Sequence, residues 1–132
     1  LGTIIRIADW FGIHQVICSP NCTELYNPKT LQASMGAVLR VNVITQNFDE
    51  LLPKLKDVPI YGALLEGKNI YTSEFKHGLI IVGNEANGIS LTIEKSIKKR
   101  IAIPRFGDLQ QTESLNVATA TAIILSEFRK IN

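Results

Sequence analysis

The sequence predicts an α/β fold, a mostly parallel sheet flanked by helices. Two observations carry this. Short apolar runs of strand length alternate with stretches of helical periodicity throughout the 132 residues, the pattern of parallel strands joined by helical crossovers. No apolar run is long enough to span a bilayer, and 45% hydrophobic with 20% charged residues is the composition of a globular domain rather than a disordered chain. In such sheets ligands bind where strands end at their carboxyl side, so the loops after Leu65, Val82 and Ile103 are the ones to watch.

The elements follow in order. Gly2 to Phe11 places Ile4, Ile7, Ala8 and Phe11 at helical spacing, with Gly12 as the stop. His14 to Cys18 is a short buried strand. Pro20 to Asn27 is a loop of turn formers, and Asn27-Pro28 is an N-cap followed by proline at the first helical position of a helix reaching about Gly36. Val41 to Thr45 is a β-branched strand. Phe48 to Lys56 is helical, with Asp49 an early-turn acid and Pro53 weakening its middle. Ile60 to Leu65 is a strand closed by Glu66-Gly67, and Leu79 to Val82 is a strand ending at Gly83. Ile89 to Ile97 is a helix, Arg100 to Ile103 a strand, and Leu115 to Phe128 a long helix with Val117, Ala120, Ile124 and Phe128 on one face.

The net charge of +2 permits nucleic-acid binding without arguing for it. Lys95, Lys98, Lys99, Arg100 and Arg105 lie close together, a run that reads as a solvated helix end and strand start. Cys18 and Cys22 are spaced C-x3-C, with no histidine pair to complete a tetrahedral metal site. They read as free thiols of a reducing compartment, and no metal is expected. No basic segment followed by an apolar stretch marks a signal peptide. The chain starts at Leu1 and is expected to be a piece of a longer protein.

Three loops hold the candidate chemistry. In Leu64-Leu65-Glu66-Gly67, a glycine directly after a strand either lets the backbone approach a ligand or makes a turn. In Gly83-Asn84-Glu85-Ala86-Asn87-Gly88, two glycines and Asn87 allow a sharp fold around one carboxylate. That loop lacks both the dinucleotide fingerprint and the phosphate-loop ending, which leaves nicotinamide and nucleoside-triphosphate readings with little support. Glu85 is open to two readings, an orienting carboxylate or a solvent-facing turn acid. The third runs from Ile103-Pro104 to Ser114-Leu115-Asn116-Val117: a strand end, a long polar loop and a helix start. Ser114 is the expected N-cap, which leaves the polar Asn116, between two apolar neighbours, without a structural reason.

Three motifs in this order resemble the SpoU (TrmH) family of RNA 2'-O-ribose methyltransferases, in the SPOUT superfamily. The first is Gly2-Thr3-Ile4-Ile5-Arg6-Ile7-Ala8, the second Gly83 to Ile89, and the third Ile103-Pro104 with Ser114 to Val117. Asn27-Pro28-Lys29 and Ser34-Met35-Gly36 also look like the family, and the resemblance covers essentially the whole chain. Residues 1–132 then form one SpoU-type catalytic domain, truncated at its N-terminus before the asparagine that usually opens the first motif. Ala86 stands where glycine is common and Ala118 where serine is common. The loop from Gly107 to Ser114 is longer than is usual.

The resemblance implies a C-terminal deep trefoil knot, a homodimer, a cytoplasmic location, S-adenosyl-L-methionine as cofactor and an RNA substrate, ribosomal RNA slightly favoured over transfer RNA. It assigns catalysis to Arg6, Glu85, Ser114 and Asn116. It assigns the cofactor to Leu64, Leu65, Glu66 and Gly67 in the first loop and to Gly83, Asn84 and Gly88 in the second. From the third it adds Ile103, Leu115, Asn116 and Ala118. Adenine is expected in an apolar slot of Leu65, Ile103 and Leu115. The family describes its arginine as activating the hydroxyl, yet a free arginine has a pKa above about 12 and is a poor base at neutral pH. Arg6 is therefore expected to orient phosphate and stabilise the developing alkoxide. Two other readings compete: a non-catalytic RNA-binding relative, and an unknotted α/β enzyme acting on another nucleotide.

Overall fold

The computed structural model describes residues 1–131, which divide into two compact units, Leu1–Leu51 and the part that begins at Leu52. The fold is mixed α/β, and every strand pair in it is parallel. Hydrogen bonding groups the strands into a two-stranded and a three-stranded sheet rather than one.

In the first unit, α1 spans Gly2–Trp10 and buries Ile5 and Ala8. A β-carbon at Gly2 would collide with the Thr30 carbonyl, so the missing side chain lets the first turn of α1 lie directly on α2, Pro28–Ser34. α1 stops as its sequence predicts. Gly12 takes φ +68, its N–H donates to the Asp9 carbonyl, and the Ile13 N–H donates to the Ala8 carbonyl at 2.8 Å. This left-handed closure satisfies carbonyls that the last turn leaves open. β1, Gln15–Cys18, pairs with β2, Asn42–Thr45, from Gln15↔Asn42 to Cys18↔Thr45. Asn27 caps α2 by accepting from the Lys29 N–H at 2.9 Å, with Pro28 at the first position. The helix ends at Ser34, short of Gly36, because Met35 already turns left-handed at φ +52. Ile5, Ala8, Ala37 and Val41 form the core of this unit.

The helix expected over Phe48 to Lys56 is only one turn, α3, Phe48–Leu51, followed by a 3-10 turn over Leu52–Lys54. Pro53 supplies no N–H and its ring crowds the preceding turn, which ends regular α-helix here.

The second unit is built on the three-stranded sheet β4-β3-β5: β3 is Ile60–Asn69, β4 Leu79–Ile81 and β5 Lys99–Ala102. β3 does not close at Glu66-Gly67 as expected. Ala63 and Lys68 both register with Ile101, so Leu64 to Gly67 form a bulge and pairing resumes to Asn69↔Ala102. Gly67 makes this possible. A β-carbon there would lie 2.8 Å from the Arg100 carbonyl carbon and 2.8 Å from the Ile101 nitrogen. Strand contact alone already requires the glycine here. The helix expected over Ile89 to Ile97 shrinks to α4, Leu91–Glu94; Ser90 caps its start by accepting from the Ile93 N–H at 3.3 Å. Beyond α4, Ile97 turns inward and fills the space above Gly62.

The final helix, α5, is Val117–Ile131. Its Ile124 and Phe128 pack with Tyr61, Ile70, Phe75 and Ile101. Phe75 and Phe128 stack at 4.1 Å, and Tyr61 meets both edge-on. The Tyr61 hydroxyl accepts from the Lys76 N–H at 3.0 Å, so this buried ring keeps its polar end satisfied. No described helix is long and apolar enough to cross a membrane.

Cys18 is buried at the end of β1 and Cys22 is exposed. Burial, then the neighbouring Cys22, pushes the Cys18 thiol up from its ordinary 9.0 to about 11. Below pH 9 the thiol is protonated in folded and unfolded chains alike. Between pH 9 and about 11 only the unfolded chain ionises, so stability falls across that window. Urea midpoints taken from pH 8 to 11 should show this loss, and a Cys18→Ala variant should lack its share. A second prediction concerns the bulge: Gly67→Ala should cost about 1–3 kcal/mol in urea unfolding. Gly107→Ala, with open space around its β-carbon, should be near neutral in the same assay.

Candidate functional site

The register places the three predicted loops together. Gly62 lies opposite Ile81 and Ala63 opposite Ile101, and the strands run the same way. Chain therefore leaves β4 at residues 82–88, β3 through its bulge at 64–67 and β5 at residues 103–116 along one edge of the sheet.

The loop after β4 is fixed by its own backbone. The Asn84 N–H donates to the Gly88 carbonyl at 3.2 Å, and the Gly88 N–H donates back to the Asn84 carbonyl at 2.8 Å. The Asn84 side-chain oxygen accepts from the N–H groups of Ala86, at 2.6 Å, and Asn87, at 3.3 Å. Gly88 takes φ +65, and a β-carbon on Gly83 would stand 2.6 Å from the Gly88 carbonyl carbon. Both glycines are thus needed to bring the two ends of the loop together, which presents Glu85 at its tip.

Asn116 explains itself in this setting. Its side-chain oxygen accepts from the N–H groups of Ala118, at 2.9 Å, and Thr119, at 3.2 Å, so it is the N-cap of α5. Its side-chain nitrogen donates to Glu85 Oε1 at 3.2 Å. One amide both starts the last helix and holds the carboxylate of the β4 loop. The expected cap, Ser114, lies two residues too early: α5 begins at Val117, not Leu115, and Ser114 is an exposed residue of the approach. The signal was present, since asparagine caps as well as serine does and Asn116 directly precedes the apolar face that begins at Val117.

Since Asn116 meets Glu85, the segment from Ile103 to Asn116 runs from the end of β5 to the loop beyond β4. Arg105, which the sequence offered only as part of a basic run, shapes it. Its guanidinium donates to the Glu113 carbonyl at 2.6 Å and the Gln110 carbonyl at 3.3 Å. Gln110 sits at φ +48, a left-handed conformation that a side chain disfavours and that Arg105 helps to hold. The basic run does not act as one patch. Arg100 pairs with Glu94 at 2.8 Å and Lys99 lies 5.3 Å from the Tyr61 ring, at the opposite, amino-terminal end of β5.

Of the other predicted residues, Leu64 and Ile103 are half-buried, Ile103 against the core, while Leu65 and Leu115 keep 66% and 48% of their surface exposed. These leave apolar surface uncovered at the sheet edge. Glu66 lies in the bulge, and its carbonyl accepts from Arg100 Nε at 3.4 Å. Ala118 opens the first turn of α5. Arg6 belongs to the first unit, where it stands exposed on α1. No cluster of three or more metal-ligating side chains occurs among the described residues.

Asn116 carries two separable duties. Asn116→Ala should cost about 1 kcal/mol in urea unfolding through the lost cap. Asn116→Ser should keep most of that stability while releasing Glu85, seen as faster amide exchange confined to residues 84–88. Equal stability loss in the two variants would show that capping contributes less than the hydrogen bond to Glu85.

Comparison with known proteins gives the chain a family. Residues 1–126 match the profile of the SpoU rRNA Methylase family. The 23S rRNA (guanosine(2553)-2'-O)-methyltransferase of Bacillus subtilis is 32% identical over 98% of this chain and 52% of its own length. A Porphyromonas gingivalis structure assigned to the TrmH family of RNA methyltransferases matches with a TM-score of 0.91 at 38% identity, covering 99% of this chain and 54% of that one. An AdoMet-bound rRNA methyltransferase from Sinorhizobium meliloti matches with a TM-score of 0.88 at 29% identity, over 99% of this chain and 51% of that one. The chain thus spans about half the length of these relatives, and it belongs to the SpoU rRNA methylase family.

Proposed function

We propose that this chain is the catalytic domain of an RNA ribose 2'-O-methyltransferase that uses S-adenosylmethionine. The observation that carries the reading is the Glu85–Asn116 hydrogen bond, which joins two of the family's motifs at the carboxyl edge of the sheet. The B. subtilis relative, named for a 23S rRNA ribose methylation, favours ribosomal RNA as the substrate.

The residues present fit the cofactor. An adenosine needs apolar surface beside main-chain donors and acceptors. Leu65 and Leu115 supply uncovered apolar surface, and Ile103, part-exposed, joins them. The bulge at Leu64 to Gly67 and the loop bounded by Gly83, Asn84 and Gly88 supply main chain, and Ala118 stands in the first turn of α5. When bound, the cofactor supplies a methyl group on a positively charged sulfur. Fixing the attacking hydroxyl in line with such a group accounts for roughly 7–11 kcal/mol of barrier reduction in well-oriented reactions. Glu85 and Asn116 keep the pocket's two loops in register, and Ser114, exposed on the approach to α5, is given a catalytic role by the family's third motif alone. Arg6 is assigned an electrostatic role: a guanidinium stays charged at neutral pH, so it orients phosphate and stabilises the alkoxide as the hydroxyl loses its proton.

The finer architecture follows the family. The segment from Ile103 to Asn116 is proposed to take part in a deep trefoil knot, the active enzyme to be a homodimer, and its location to be the cytoplasm.

Titration calorimetry with S-adenosylmethionine, followed by mapping of 2'-O-methyl groups on ribosomal and transfer RNA, tests the reading. Binding of the cofactor and a ribose methyl mark are expected; absence of cofactor binding would leave a non-catalytic RNA-binding relative. Arg6→Lys should lower kcat about a hundredfold with RNA affinity little changed, because an ammonium cannot reproduce the two-pronged contact. Near-normal turnover in that variant would rule out the role assigned to Arg6.

A further inference from the structure

Two exposed aromatic rings stand at the same sheet edge as the candidate site. Asn69, the last residue of β3, registers with Ala102, the last residue of β5. Tyr71 follows the first and Phe106 the second. Their ring centroids are 6.4 Å apart at an interplanar angle of 41°. Tyr71 is 45% exposed and Phe106 80% exposed, surface that an unliganded fold gains nothing by leaving in water.

Both rings are held by the backbone beneath them. The Asn69 side chain accepts from the Tyr71 N–H at 2.8 Å, and the adjacent Ile70 is fully buried in the core, so the turn carrying Tyr71 is anchored. Phe106 follows directly on Arg105, whose guanidinium grips the Gln110 and Glu113 carbonyls. Three residues before Phe106, Ile103 packs on the core. The rings are therefore placed at little conformational cost to a ligand.

We propose that Tyr71 and Phe106 form a stacking site for an unpaired base of the RNA substrate, outside the cofactor pocket. This rests on the proposed RNA methyltransferase function. Charge argues for bases over phosphates: residues 105–113 hold one cation, Arg105, against Asp108 and Glu113, and Arg105 already donates to main-chain carbonyls. Such a loop does not track a phosphate backbone, whereas the face of a base is uncharged and stacks on any aromatic ring. An unpaired base next to the reacting ribose would be gripped there, which selects single-stranded or loop RNA over a regular duplex.

The test is fluorescence anisotropy with a short mixed-sequence single-stranded RNA over a range of salt, alongside calorimetry with S-adenosylmethionine and sedimentation. Phe106→Ala and Tyr71→Ala should each weaken RNA binding about tenfold. The salt dependence should stay parallel to wild type, because no phosphate contact is removed. Cofactor affinity and sedimentation should be unchanged, and Phe106→Trp should restore binding. Unaltered RNA affinity in both alanine variants would overturn the stacking site, as would an absence of RNA binding by the wild type. Parallel loss of cofactor affinity would place the rings in the cofactor pocket instead, and altered sedimentation would assign them to contact with a second copy. Failure of the wild type to bind S-adenosylmethionine would instead reject the methyltransferase reading itself.

Discussion

The second unit depends on one amide. Asn116 must accept from the opening N–H groups of α5 and donate to Glu85 at the same time, and its amide does so with two separate atoms, an oxygen for the helix and a nitrogen for the carboxylate. Serine would cap the helix but lacks the reach to Glu85, and aspartate would bring a second negative charge to it. This constraint fixes where the last helix begins relative to the loop after β4. Through Ile124 and Phe128 it also bears on where that helix meets the sheet.

The parallel ladder supplies the other half of the arrangement. Parallel strands send all their carboxyl ends to one edge, so loops distant in sequence become neighbours without specific attraction between them. Glycine then decides how close they come. Gly83 and Gly67 each face backbone at a distance that a β-carbon would violate, one to pinch a loop and the other to seat a bulge against β5. The site is made mainly of main chain brought close, with few side chains committed to fixed partners.

Much of this was legible in the sequence, for local reasons. α1 ended at its glycine and α2 began at Asn27-Pro28 because capping is decided within a few residues. Asn116 stood out as a polar residue between two apolar neighbours, and Glu85 as the one carboxylate of a sharply folding loop, open between an orienting role and a solvent-facing one. What escaped was set by distant partners. The bulge in β3 arises because Lys68 and Ala63 compete for the same Ile101, which no periodicity within β3 records. The short α4 follows from Ile97 turning into the space over Gly62. Ser114 was preferred to Asn116 because both cap well, and the choice between them is made by Glu85, thirty-one positions away. Arg105 was counted as surface charge because its partners are carbonyl groups, to which sequence gives no clue.

The grip of Arg105 divides the segment between β5 and α5 into two parts. Beyond it, from Glu113 to Asn116, the chain is committed to the helix cap and to Glu85. Before it, from Phe106 to Leu109, the chain is an exposed arc closed at its base by the contact to Gln110. Residues added or lost in that arc are absorbed before they disturb the cap. The arc is in effect an interchangeable cassette on a fixed clasp, set apart from the cap and from the carboxylate that the cap holds.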